Sequence, residues 1–145
     1  MERKHRKLYI APFCVYSAIM LYLLFNRQGG IEGMDYWTQI HINLNLEAFR
    51  TIRLFLNVLN DQEYTTAALI NLGGNVILFI PLGFFLPQVF PKLRKFGRSM
   101  LATALIISAV ELTQLFTLLG SCDIDDLILN VIGASIGYII FKFLK

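Results

Sequence analysis

No stretch of this sequence completes a familiar catalytic signature: HExxH, the phosphate-cradling P-loop and the dinucleotide glycine fingerprint are all missing. There is no internal repeat, low-complexity tract or linker. The two cysteines, Cys14 and Cys122, fall in an apolar first segment and a distant polar loop, too far apart for a disulfide. The basic start followed by an apolar run resembles a signal peptide, but Phe25-Asn26-Arg27 offers no small-residue cleavage pattern. An uncleaved first helix is therefore expected. The net charge of +3 is no nucleic-acid signal either, because its distribution follows a different logic.

Long apolar blocks are what the sequence does have. At 145 residues, 56% hydrophobic and a mean hydropathy of +0.59, the chain is too apolar for an ordinary soluble domain. Four blocks approach the ~20 residues that a bilayer core requires: Leu8–Phe25, Thr66–Phe90, Ser99–Leu119 and Leu127–Leu144. The fold expected is all-α, a single membrane domain over 1–145: a four-transmembrane-helix bundle with an outer amphipathic helix. Ten of the thirteen Lys and Arg fall at the start (Arg3, Lys4, Arg6, Lys7), between blocks two and three (Lys92, Arg94, Lys95, Arg98) and at the end (Lys142, Lys145). With four spans these lie on one side, which the positive-inside rule makes cytoplasmic, so both termini are expected inside.

The first helix carries Pro12 near its start, where a missing N–H costs least. Asn26–Thr65 is the one long outer segment; Asn26–Gly30 reads as a turn, and Leu44–Leu59 reads as an amphipathic helix. In that helix Leu46, Phe49, Ile52, Phe55, Leu56 and Leu59 repeat at helical spacing opposite Glu47, Arg50, Arg53 and Asn57. It would either lie in the headgroup layer with its arginines near phosphates or pack on the bundle as a lid. Pro81 in the second block frees the carbonyl near Ile77 and is expected to kink the helix.

The chain is organised around Glu111–Tyr138. Glu111 and Gln114, three apart, are neighbours on one helix face, and a short loop then holds Asp123, Asp125 and Asp126. Asn130, Gly133 and Gly137 follow along nearly one stripe, with GxxxG allowing close approach of another backbone. Counting ~1.5 Å of rise per residue places Glu111 about 12 Å, Asn71 about 8 Å, Asn75 about 14 Å and Asn130 about 5 Å below the outer surface. The strongly polar side chains of three helices thus share the outer half, and Glu111, Gln114, Asn75 and Asn130 are expected to form one connected site. Their bland reading is interhelical hydrogen bonding, worth about 1 kcal/mol or less each. Without a cationic partner at its depth, Glu111 is expected neutral or strongly hydrogen-bonded.

The aspartates admit two readings. Asp123 fits an N-cap, with Asp126 in the first turn where a carboxylate suits the positive helix end. A divalent-cation site would want more oxygen ligands than the D-x-D-D spacing guarantees, so no metal is expected. Ser121, Cys122 and His41 are outer-face nucleophile and base types, but no order or spacing pairs them.

Two runs resemble a known family. NLGGNVILFIPLGFFLP (Asn71–Pro87) is similar to the second-helix signature of VanZ-like proteins. ELTQLF (Glu111–Phe116) with SCDIDDLILNVIGASIGY (Ser121–Tyr138) is similar to that family's closing helix pair. INLNLEAF (Ile42–Phe49) resembles a degenerate outer segment, with Asn45-Leu46-Glu47 in place of a Pro-containing run; Leu118 and Leu119 stand where many members have a basic residue. The resemblance implies a bacterial cytoplasmic-membrane protein whose namesake is linked to teicoplanin resistance. It carries over Asn75, Pro81, Gly83, Glu111, Gln114, Asp123, Asp125, Asp126, Asn130, Gly133 and Gly137. The function expected is binding of a lipoglycopeptide or a lipid-linked cell-wall precursor by Asn75, Glu111, Gln114, Asp123, Asp126 and Asn130, among membrane lipids, without cofactor or nucleic acid. The alternatives are an intramembrane enzyme with Glu111, Asp125 or Asp126 as catalytic candidates, and a helix-packing subunit that oligomerises through GxxxG.

Overall fold

The computed structural model describes residues 2–26, 29–58 and 62–145. It is an all-α bundle of six helices: α1 (Glu2–Phe25), α2 (Tyr36–Asn43), α3 (Arg50–Val58), α4 (Gln62–Val89), α5 (Phe96–Thr117) and α6 (Ile124–Phe143). Four of them, α1, α4, α5 and α6, contain segments of 20 to 22 residues long and apolar enough to cross a membrane. Their outward faces are lined by exposed apolar side chains such as Val15, Ile19, Leu101, Leu105, Ile132 and Ile136, the surface a lipid-embedded bundle presents. The protein is a multi-pass membrane protein.

The centre is the pair α4 and α6, which run parallel. A Cβ on Gly133 would overlap the Val76 carbonyl, one on Gly137 the Ile80 carbonyl, and one on Gly83 the Ala134 carbonyl. Only glycine lets these two backbones touch. The GxxxG stripe is thus used inside the chain. Around this seam Met20, Leu24, Phe79, Leu82, Leu86 and Ile107 form the core. Helix α1 joins it by ring contacts, Phe13 against Phe85 and Phe90, and by the Tyr16 hydroxyl, which donates to the Leu78 carbonyl at 2.8 Å.

One end of the bundle carries the start of α1, the short 3-10 turn Pro91–Leu93 and the end of α6; the other carries the connecting loops. At the loop end α5 stops at Leu118, whose φ of 56° closes a left-handed cap although it is no glycine. The last carbonyls of α5 are satisfied from far away: Tyr36 donates to Phe116 O at 3.0 Å and Gly30 N–H to Leu118 O at 3.0 Å.

Several boundaries differ from the sequence reading. Helix α1 begins at Glu2, so Pro12 lies in its interior rather than its first turn. Helix α6 begins three residues early, at Ile124, because Asp123 caps it as expected: its carboxylate accepts the Asp125 N–H at 2.9 Å. The outer segment is not one helix from Leu44. Leu44–Asn45 forms a short strand, β1, paired in parallel with β2 (Cys122–Asp123), and α3 starts only at Arg50. The reason is local competition: the Asn45 amide oxygen takes the Glu47 N–H at 3.2 Å, and Phe49 turns left-handed at φ 64°. Helix α2, capped by Asp35 through the Thr38 N–H at 3.1 Å, was not foreseen. Arg27 and Gln28 of the expected turn, and Leu59 of the amphipathic stripe, lie outside the described residues.

Candidate functional site

The loop between α5 and α6 dips back into the bundle. The Asp123 N–H donates to Glu111 Oε2 at 3.3 Å, so β2 reaches down beside the second-last turn of α5. From there a relay of carboxylates runs toward α3. Asp123 Oδ1 accepts the Asn45 amide at 3.1 Å as well as the Asp125 N–H, and Oδ2 accepts the Thr51 hydroxyl at 2.6 Å. Asp125, fully buried at 0% exposure, accepts the Phe49 N–H on one oxygen and the Ile52 N–H, at 3.1 Å, on the other. It sits between the N-termini of α3 and α6, whose partial positive charge and free N–H groups are what a buried carboxylate needs. The arrangement is a latch holding α3 on the bundle, which favours the lid among the two expectations for this segment.

Asp126 leaves the relay and accepts the Asn75 amide, tying α6 to α4. Gln114 belongs elsewhere: its amide donates to the Leu24 carbonyl at 2.8 Å, satisfying the C-terminal end of α1, and Gly120 packs against its side chain. Asn130 is 2% exposed, and its side-chain oxygen has no hydrogen-bond partner among the described residues; the same holds for the Asn71 oxygen. The described hydrogen bonds give Glu111, Gln114 and Asn75, expected to form one site with Asn130, different partners. Glu111 joins Asp123, Asn75 joins Asp126, and Gln114, still beside the loop at Gly120, reaches the end of α1. The half nearer the basic turn buries the Ser99 and Thr103 hydroxyls.

Beside Glu111 lies a cleft of about 240 Å³ lined by Leu46, Ser108, Glu111, Leu112, Cys122, Asp123, Ile124 and Leu127. Its walls are mainly apolar. The two carboxylates, at 7% and 8% exposure, form its polar end. Burial pushes the Cys122 thiol above its usual pKa, and the Glu111 and Asp123 carboxylates push it in the same direction. His41 and Ser121 are exposed. Of the catalytic candidates, Asp125 and Asp126 are engaged in holding helices, and Glu111 is the one that lines the cleft. Among the described residues, no group of three or more His, Cys, Asp or Glu side chains is placed to hold a metal ion.

Sequence reasoning missed Asn45, Thr51 and Ser108. Asn45 and Thr51 had a signal, since short polar side chains that interrupt an amphipathic pattern favour backbone-competing bonds. Ser108 had none beyond lying three residues from Glu111 on one face.

No curated protein and no solved structure matches the chain. The model of the VanZ/LLP1 family matches residues 13–145, from within α1 through α6. It takes in every element of the latch and the cleft, so the protein belongs to the VanZ/LLP1 family.

Proposed function

We propose that the protein binds an amphiphilic or lipid-linked ligand in the Glu111–Asp123 cleft and thereby lowers susceptibility to teicoplanin-type lipoglycopeptides. It would sit in the cytoplasmic membrane of a bacterium with both ends inside and the aspartate end outside. The orientation is supported by the clustering of Lys92, Arg94, Lys95, Arg98, Lys142 and Lys145 at the opposite end. The binding reading rests on one observation above all: an apolar-walled cleft with two carboxylates at its end, beside a helix latched on as a lid. Ligand sites commonly combine apolar walls with a few convergent polar groups. Placement near a membrane surface suits a ligand with a polar head and an apolar tail.

The test is expression of the chain in a teicoplanin-susceptible Gram-positive host. A rise in the minimal inhibitory concentration of at least fourfold for teicoplanin, larger than that for vancomycin, is the expected outcome. An unchanged value, with the protein present in the membrane, would overturn the proposal.

A further inference from the structure

We infer that α2 is an interfacial anchor, with Trp37 and Tyr36 docked on membrane phospholipid where headgroups meet acyl chains, in the leaflet at the loop end of the bundle. This contact does not depend on what the cleft holds. Helix α2 is fixed at its start by Asp35, whose carboxylate accepts the Thr38 N–H at 3.1 Å. Its buried residues are Gln39 and Ile40. That leaves Trp37 turned outward at 65% exposure, with Tyr36 exposed beside it.

A lone exposed tryptophan is common on any surface; what this one is attached to decides its partner. The Trp37 and Tyr36 rings meet edge to face, with centroids 5.3 Å apart and planes at 77°. The Tyr36 hydroxyl donates to the Phe116 carbonyl at 3.0 Å. Phe116 is exposed and belongs to the spanning segment Phe96–Thr117, within about 1.5 Å of helical rise from its end. Leu105 and Leu112 precede it as exposed residues on the same face of α5. The aromatic pair therefore continues the lipid-facing surface of a spanning helix at the height where that helix leaves the hydrocarbon. Tryptophan and tyrosine, each with an apolar body and a polar tip, are the residues enriched at that height. Charge limits how far they sink. Asp35 directly precedes the pair and is exposed, as is Glu32, and drawing a carboxylate into hydrocarbon is costly. Because α2 runs straight into β1, the anchor also holds the latch strand near the lipid boundary.

Trp37 is the only tryptophan in the chain, so intrinsic fluorescence reports on this ring alone. The full chain would be reconstituted into phosphatidylcholine–phosphatidylglycerol vesicles whose acyl chains carry bromine either near the headgroup or near the chain end. Acrylamide would serve as the quencher from water. Bromine near the headgroup should quench Trp37 at least twofold more efficiently than bromine near the chain end. Acrylamide should quench it at least threefold less than it quenches free N-acetyltryptophanamide. Equal or stronger quenching from the chain ends would put the ring among the spans and overturn the inference. Acrylamide quenching close to that of the free compound would put it in water, with the same consequence. Shielding from both quenchers would mean that protein, this chain's own or a second copy's, covers Trp37, and would overturn the inference too.

Discussion

Gly137→Leu should leave essentially no folded protein in the membrane. Even a single Cβ there would overlap the Ile80 carbonyl, and the Phe84 N–H lies alongside. Both obstacles are backbone, so neither can rotate away. Inserting atoms into a packed core ordinarily costs about 1–3 kcal/mol when side chains can adjust. Here α4 and α6 must separate, and Gly133 and Gly83 would lose their contacts too, against a typical total stability of about 5–15 kcal/mol. Gly137→Ala should fold but melt lower, by roughly 5 °C or more given about 2–8 °C per kcal/mol. Gly73→Ala and Gly74→Ala are the controls, since a Cβ at either meets nothing within 4 Å. Both should match or exceed the parent, as glycine inside a helix costs ~0.5–1 kcal/mol relative to alanine. Membrane yield and melting temperature decide it. A Gly137→Leu protein with parental yield and melting would mean that the α4–α6 seam is wrong.

Asp125→Ala should release α3 without unfolding the bundle. The buried carboxylate holds the Phe49 and Ile52 N–H groups, and hydrogen bonds to charged groups contribute about 1.5–3 kcal/mol each. Phe49 adds a left-handed φ of 64°, a conformation that costs a non-glycine residue on the order of 1–3 kcal/mol unless its surroundings hold it. Amide hydrogen exchange at Phe49 and Ile52 should therefore accelerate at least a hundredfold, while α4 and α6 stay protected. Asp125→Asn, which keeps one acceptor oxygen, should fall between. Unchanged protection at both amides in Asp125→Ala would mean that the lid is held by something else.

The spans were legible because bilayer thickness and apolar length are matched quantities, and the basic clusters separated one end of the bundle from the other. The glycine seam was legible as a close approach, but its partner was not: nothing local says that Gly133 and Gly137 face the Val76 and Ile80 carbonyls. Asp123 as a cap could be read from its neighbours. The latch could not, because it joins Asn45, Phe49, Thr51 and Ile52 to aspartates more than seventy residues away. The same separation explains why the amphipathic pattern from Leu44 misled. Its periodicity is real, but pairing of Leu44–Asn45 with Cys122–Asp123 takes the first residues out of the helix. Gln114 was grouped with Glu111 on helical spacing alone, and the backbone it satisfies belongs to α1.

The central claim is that Glu111 acts on a ligand in the cleft rather than holding the fold. Glu111→Gln tests it most directly, because the carboxamide oxygen can still accept the Asp123 N–H while the capacity to exchange a proton is lost. Melting temperature and teicoplanin susceptibility should be measured on the same membranes. The expected result is melting within about 2 °C of the parent, a shift corresponding to about 1 kcal/mol or less, with susceptibility returned to that of the host lacking the protein. A stably folded Glu111→Gln protein that still protects fully would contradict the account and leave Glu111 as a support for the loop.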